Sequence, residues 1–202
     1  MFPDFRIRFA YPGKRSQIRL FNATKTPNPT THCYASVADF QRQNRGGTVN
    51  PGLAYPLVFK YDFGGEGHTV FLIRSWQELK ARLEEAVQLE KTGELGFLTS
   101  AFIPPGNKTL RTVVIGSRML SYWRIQDHPD RFGTSLSKGA RIDLESDPDL
   151  IKKGELAVAE LCAKTGINLA GFDVIFDGYG HQPRPLLLEI NYFFGRQGLG
   201  GS

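Results

Sequence analysis

Two apolar segments near the C-terminal end carry polar residues where a buried strand ordinarily has none, and this feature constrains the fold most. Asp173 interrupts AGFDVIF, and Glu189 and Asn191 bracket Ile190 in LLLEINYF. The flanking residues predict strands over residues 171–176 and 186–190, joined by a turn over 177–185. Residues two apart in a strand point to the same side, so Glu189 and Asn191 share one space. Two carboxylates and an amide oxygen are hard ligands of the kind Mg²⁺ takes while it also holds phosphates. The alternative for each acid is a buried arginine partner or a turn to cap. Three oxygen donors on two apolar strands with a short connection favour the metal.

Upstream, Lys60 lies in a second buried strand, Tyr55 to Tyr61 (YPLVFKY), and the Gly-rich segment DFGGEGHT follows before a strand over residues 70–73. Gly64, Gly65 and Gly67 would let backbone N–H groups approach phosphate oxygens, and the Lys60 ammonium would offset their charge. A plain turn beside a lysine explains the same residues. No Gly-Lys-Ser or Gly-Lys-Thr follows, so the segment is not a P-loop, and it lacks the strand-to-helix setting of a dinucleotide fingerprint.

The remaining pattern gives an α+β reading. Helices are predicted over residues 14–22, over 37–45 behind an Ser36 N-cap and before Gly46-Gly47, and over 76–89. The last carries a Ser75–Glu78 capping box and an apolar face of Leu79, Leu83, Ala86 and Val87. β-rich runs at residues 96–103, 109–115 and 119–125 read as one antiparallel meander; residues 126–142 resist assignment. A helix begins at Asp147 or Asp149 and runs to Lys164, with Gly166 as its C-cap. Residues 1–12 show little regular pattern.

At 202 residues and 41% hydrophobic content the chain suits one unit with two lobes. Its formal charge is +5, but the basic residues are scattered and form no block or arm. An anionic small substrate accounts for that balance, and no nucleic acid partner is expected. Cys33, in a loop-like stretch, and Cys162, on a helix face, read as free thiols. His32, His68, His128 and His181 lie in loop-like stretches without the paired spacing of a zinc site. Trp76 and Trp123 read as packing residues. No apolar run is long enough to span a bilayer and Met1 to Arg8 lacks the apolar core of a signal peptide, so no membrane association and a cytoplasmic location are expected.

A strand lysine with a glycine hairpin, a helix, a linker strand, β-rich strands with spaced arginines, another helix, then Asp173 and Glu189-Ile190-Asn191, resembles in that order the ATP-grasp superfamily. Within it the chain is most similar to the glutamate ligases of ribosomal protein tails and to uncharacterised bacterial relatives. The resemblance covers roughly residues 14–201 and is most specific over 169–195. It implies an ATP-grasp fold of two α+β lobes gripping the nucleotide, at residues 14–96 and 97–202. Residues 1–13 would be a remnant or linker, the N-terminal α/β domain of relatives being largely absent.

The resemblance also implies roles. Lys14, Lys60, Gly64, Gly65 and Gly67 would contact the nucleotide phosphates, and Ala101 and Phe102 of the linker strand would read the adenine. Arg111, Arg124 and Lys138 would act in catalysis, and Asp173, Glu189 and Asn191 would hold Mg²⁺, or Mn²⁺ in its place. Departures are visible: Ser100-Ala101 stands where relatives have an acidic pair, Thr69 where they often have glycine, Thr109 where an acid is frequent, and Ser135 for an asparagine. The implied activity is a Mg-ATP-dependent ligase joining a small-molecule or peptide carboxylate to an amine or thiol through an acyl phosphate. A degenerate domain that binds nucleotide without ligating is the alternative. A homodimer is compatible with either.

Overall fold

The run YPLVFKY hides an alternation that only its neighbours reveal. In the computed structural model, which describes residues 2–44, 52–65, 67–178 and 182–195, Leu57, Phe59 and Tyr61 face one core while Val58 and Lys60 face a cleft. Their strand, β2 (Leu57–Tyr61), belongs to a four-stranded antiparallel sheet with β1 (Thr31–Tyr34), β3 (Val70–Ile73) and β4 (Phe97–Ala101), in the order β1-β4-β2-β3. Helices α3 (Val37–Gln43) and α4 (Trp76–Lys91) contribute Phe40, Leu79, Leu83 and Ala86 to its core. There Phe59 stacks on Phe97 at 4.9 Å.

The capping box at α4 forms with one change. Glu78 N–H donates to Ser75 Oγ at 3.2 Å, but the Glu78 carboxylate accepts from Arg74 N–H at 2.8 Å. Val87, expected on the apolar face, and Trp76 at the first turn are both about a third exposed, at 38% and 36%. The α3 boundary expected at Arg45 and Gly46-Gly47, like His181, lies outside the described residues.

The second sheet has the order β7-β6-β5-β8-β9, all antiparallel, from β5 (Lys108–Ile115), β6 (Arg118–Ile125), β7 (Arg141–Asp143), β8 (Leu169–Asp177) and β9 (Arg184–Asn191). This corrects the single meander: β5 and β6 form a hairpin around Gly116-Ser117, but β4 pairs with β1 and β2 in the other sheet. Three β-rich runs look alike locally, and their partners are chosen by long-range pairing. Strands β1 and β7 come from stretches read as loop or unassigned, so His32 and Cys33 are strand residues. Burial pushes the Cys33 and Cys162 thiols up to about 11, which keeps both as unreactive thiols.

One face of the second sheet packs under α5 (Pro148–Thr165), where Leu110, Trp123, Val174 and Phe176 meet Val158 and Leu161. Gly154 makes that approach possible, because a Cβ there would lie 2.3 Å from Leu110 Cδ2. Asp147 precedes the helix with φ of 50° and no side-chain capping bond; Gly166 closes it with φ of 76°.

Helix α2 (Lys14–Ala23) holds to both sheets. Leu20 and Phe21 enter the second core, and the Gln17 amide pairs with the Ile190 backbone, accepting at 2.8 Å and donating at 2.9 Å. At its start Arg15 N–H and Nε each donate to the Asp62 carboxylate at 2.8 Å. The preceding residues, expected to lack regular structure, form a five-residue helix α1 (Arg6–Ala10), anchored where Asp4 N–H donates to Asn168 Oδ1 at 2.8 Å. No helix among the described residues is long and apolar enough to cross a membrane.

Candidate functional site

The uncovered face of the second sheet carries a charged row. Tyr122, Arg111, Asp173 and Glu189 are successive cross-strand partners on β6, β5, β8 and β9, and such partners share a face. Asn191 stands two residues on, opposite Gly171. A bulge at Asp173/Val174 shifts the register of β9, so that consecutive Leu188 and Glu189 both line the cleft. Gly171 completes the floor: a Cβ there would lie 2.7 Å from Arg111 Nη1, so the bare backbone lets the arginine lie across β8.

Asp173 is the centre of an ionic cluster. Arg124 Nη2 donates to its Oδ1 at 2.6 Å, Arg111 Nη2 to its Oδ2 at 3.2 Å, and Asn191 Nδ2 to Oδ2 at 3.2 Å. Arg111 Nε also lies 2.7 Å from Oδ1. Burial by itself would raise the Asp173 pKa; the two guanidinium charges and their hydrogen bonds outweigh it and hold the carboxyl below its ordinary range. Even so, Arg111 Nε and Arg124 Nε are buried without a hydrogen bond. Those two donors are aligned to no acceptor, a deficit that an anionic ligand would meet.

The first sheet supplies a different chemistry. Lys60 lies across the cleft, and desolvation lowers its pKa, with Lys14 adding to the fall while Glu189 and Asp173 oppose it. Among the described residues it makes no hydrogen bond or ion pair. Lys14, buried at the start of α2, donates to Gly64 O at 2.8 Å and Phe63 O at 3.3 Å, and its Nζ lies 3.9 Å from Glu189 Oε1. Gly64 and Gly67 both have φ of 75°, the left-handed region glycine tolerates. Thr69 braces the hairpin by donating its hydroxyl to Phe63 O at 3.0 Å.

These groups converge on a cleft between the sheets. Lys14, Lys60, Gly65, Gly67, Ala101, Phe102, Arg111, Arg124, Asp173, Glu189 and Asn191, eleven of the thirteen residues singled out in sequence, line it. Gly64 lines only the neighbouring cleft. Lys138 lines neither; its ammonium donates to Gly67 O at 2.6 Å, tying the loop after β6 to the hairpin tip. Ala101 contributes surface and not a donor, since its N–H is given to Thr30 O at 2.8 Å.

The lining combines apolar Val58, Phe102, Ile175 and Leu188 with four cations and two carboxylates. Such a slot suits a flat base continued by a polyphosphate. Sequence reasoning missed Phe132 and Thr134, from the unassigned stretch, and Leu188, whose position depends on a bulge. Gln17 was also missed, because an amide acting as a strand partner leaves no local pattern.

The donor set fits a divalent cation. Among the described residues Glu189 is paired only with the distant Lys14 ammonium, and Asn191, whose amide N–H goes to Asp173, keeps its oxygen available. No cluster of three or more His, Cys, Asp or Glu exists among the described residues, so two carboxylates and one amide would leave the remaining positions to water and phosphate oxygens, as Mg²⁺ prefers.

Two antiparallel sheets holding a charged cleft between them are the ATP-grasp fold, and known structures share it. A RimK domain ATP-grasp protein from Sphaerobacter thermophilus superposes with a TM-score of 0.66 at 18% identity, over 96% of this chain and 63% of that one. The D-alanine–D-alanine ligase of Bacillus anthracis gives 0.63 at 12%, over 91% and 57%. The biotin carboxylase domain of Hydrogenobacter thermophilus 2-oxoglutarate carboxylase, solved with MgADP, ADP and bicarbonate, gives 0.67 at 15%, over 96% and 42%. The chain thus spans less than two thirds of each. No match is found among curated protein sequences. The profile of the RimK-like ATP-grasp domain matches residues 18–199, and the chain belongs to that family, an ATP-grasp domain of the ligase superfamily.

Proposed function

We propose that the chain binds Mg-ATP in the cleft between the sheets and serves a ligase that joins a carboxylate to an amine or thiol through an acyl phosphate. The observation that carries this reading is the convergence of Lys60, from one sheet, on the Arg111–Asp173–Arg124 cluster of the other, where two guanidinium groups share one carboxylate. The two sheets are then the lobes of the grasp, the chain crossing between them after Ala101.

In this reading Lys60 and Lys14 answer the charge of the inner phosphates, and the left-handed glycines of the hairpin let its backbone approach them. Arg111 and Arg124, fixed by Asp173, present guanidinium groups to the phosphoryl group being transferred. The substrate carboxylate oxygen attacks the γ-phosphorus as the bond to ADP breaks. The amine or thiol then attacks the acyl carbon and expels phosphate, losing its proton to solvent. Glu189 and Asn191, with Asp173, would hold Mg²⁺, which neutralises the terminal phosphates; the MgADP bound by the Hydrogenobacter domain supports that choice of ion. Positioning and charge neutralisation are the requirements of this chemistry, and no nucleophilic side chain is needed.

Replacing Glu189 with Gln keeps size and hydrogen bonding but removes a metal-binding charge. ADP release, measured against a panel of amino acids, short peptides and amines, is expected to fall by a factor of about 10² or more with the circular dichroism spectrum unchanged. Unchanged turnover would remove the metal assignment. The engaged Ala101 N–H and the Ser100-Ala101 replacement favour a second reading, a domain that binds nucleotide without ligating. Mg²⁺-dependent ATP binding with no ADP release across the panel would select it.

A further inference from the structure

A second cleft, of about 1100 Å³, opens from the first. The two share Lys14, Arg111, Arg124, Glu189 and Asn191 among other residues, and the second then runs outward between the N-terminal segment and the residues after β9. Its outer wall is aromatic: Phe9, Tyr11 and Phe193 line it, with Tyr122 deeper in. Phe9 is 74% and Phe193 78% exposed among the described residues, and two such rings at one cavity form an apolar surface.

Between these rings sits Arg8. Its guanidinium carbon lies 4.1 Å from the Phe193 ring centroid and 5.7 Å from that of Phe9. The other charged groups of the lining are already engaged. Arg111 and Arg124 hold Asp173, Lys14 donates to the hairpin carbonyls near Glu189, and Asp62 holds Arg15. Among the described residues Arg8 makes ring contacts, with Phe5 as well as Phe9 and Phe193, but neither hydrogen bond nor ion pair. A ring against its face orients a guanidinium while its in-plane N–H groups stay available, and that planar fork matches a carboxylate in two parallel hydrogen bonds.

We propose that this cleft is the site of a small aromatic carboxylate, held by its carboxylate on the Arg8 guanidinium and by its ring among Phe9, Tyr11 and Phe193. The assignment rests on the ligase reading for the word substrate, but the site itself is defined by these residues alone. Joined to the nucleotide cleft at Arg124 and Glu189, the second cleft lets a further carboxylate, amine or thiol of such a molecule reach the phosphates while the carboxylate on Arg8 serves only as its anchor. The N-terminal segment is thereby part of the substrate site and not a linker before it.

Titration of the full chain by isothermal calorimetry with 3-phenylpropionate, with and without MgADP, tests this. The probe should bind at least about tenfold more tightly than butyrate, which lacks the ring, and than 3-phenylpropylamine, which reverses the charge. Arg8→Gln should reduce its affinity by about tenfold, to that of neutral 3-phenylpropanol. Phe193→Ala, at an exposed position, should weaken it about threefold and keeps the test intact if the Arg8 variant fails to fold. Equal binding of the amine, or affinity unmoved in the folded variants, overturns the proposal. MgADP binding measured in parallel separates the two readings: probe binding retained without nucleotide binding removes the nucleotide assignment alone, and nucleotide binding without probe binding removes this one alone.

Discussion

The two sheets face the same cleft, yet they meet the cost of placing charge there in opposite ways. The second sheet brings its charges as a closed set, in which Asp173 accepts from Arg111, Arg124 and Asn191. The first brings the solitary Lys60 ammonium, whose pKa is lowered by desolvation. A mutually bonded cluster, two guanidinium groups on one carboxylate, stabilises the folded protein in the absence of ligand, whereas a desolvated single charge gains its counterpart only when an anion binds. On the proposed reading the cluster is a structural frame that doubles as phosphate recognition, and Lys60 a binding residue carried at the expense of stability.

The largest test of that difference is Asp173→Asn, which leaves two buried guanidinium groups unpaired and should destabilise the protein by about 3–5 kcal/mol in urea unfolding. Little loss would mean that the cluster is not a frame. The wild-type pH dependence has a definite sign. Because the folded carboxyl titrates below the ordinary 3.8 of an aspartate, its contribution is fully present above that pH and is lost as pH falls through the lower folded value. Acid unfolding followed by circular dichroism should show this loss in the wild type and lack it in the variant.

Lys60→Met sharpens the other side of the comparison. It should weaken MgADP binding by at least about tenfold while raising the unliganded protein's stability by about 1 kcal/mol, since an apolar side chain replaces an unpaired charge. A fall in both would break the contrast. Gly171→Ala tests the floor of the cluster: the new methyl would displace the Arg111 guanidinium, at a cost of about 1 kcal/mol and with weaker nucleotide binding in the same titration. Lys138→Met should have the smallest effect on stability, less than about 1 kcal/mol. Loss of its bond to Gly67 O should appear instead as faster limited proteolysis in the hairpin.

Several elements were legible because their signals are local. Ser75 caps α4, Gly166 closes α5, and Asp173 with Glu189 and Asn191 marks two strands that do lie side by side. What stayed hidden depended on partners distant in sequence. Strand β4 joins β1 and β2, not β5, and nothing within FLTSA specifies that choice. Strand β1 was read as loop, since four residues containing His32 and Cys33 show no apolar alternation until the neighbouring β4 is in place.

For the site, sequence determined which residues could carry charge and metal chemistry, because a carboxylate or amide inside an apolar strand is costly unless something there uses it. Tertiary structure alone decided what each does now. It placed Arg111 and Arg124 on Asp173, turned Lys138 toward Gly67, gave the Ala101 N–H to Thr30, and set Arg8 against Phe193 at the mouth of a second cleft. The physical reason is one of range. Propensity, alternation and capping act over a few residues, whereas Arg8 and Phe193 are 185 positions apart, and only the closed sheets and α2 bring them together.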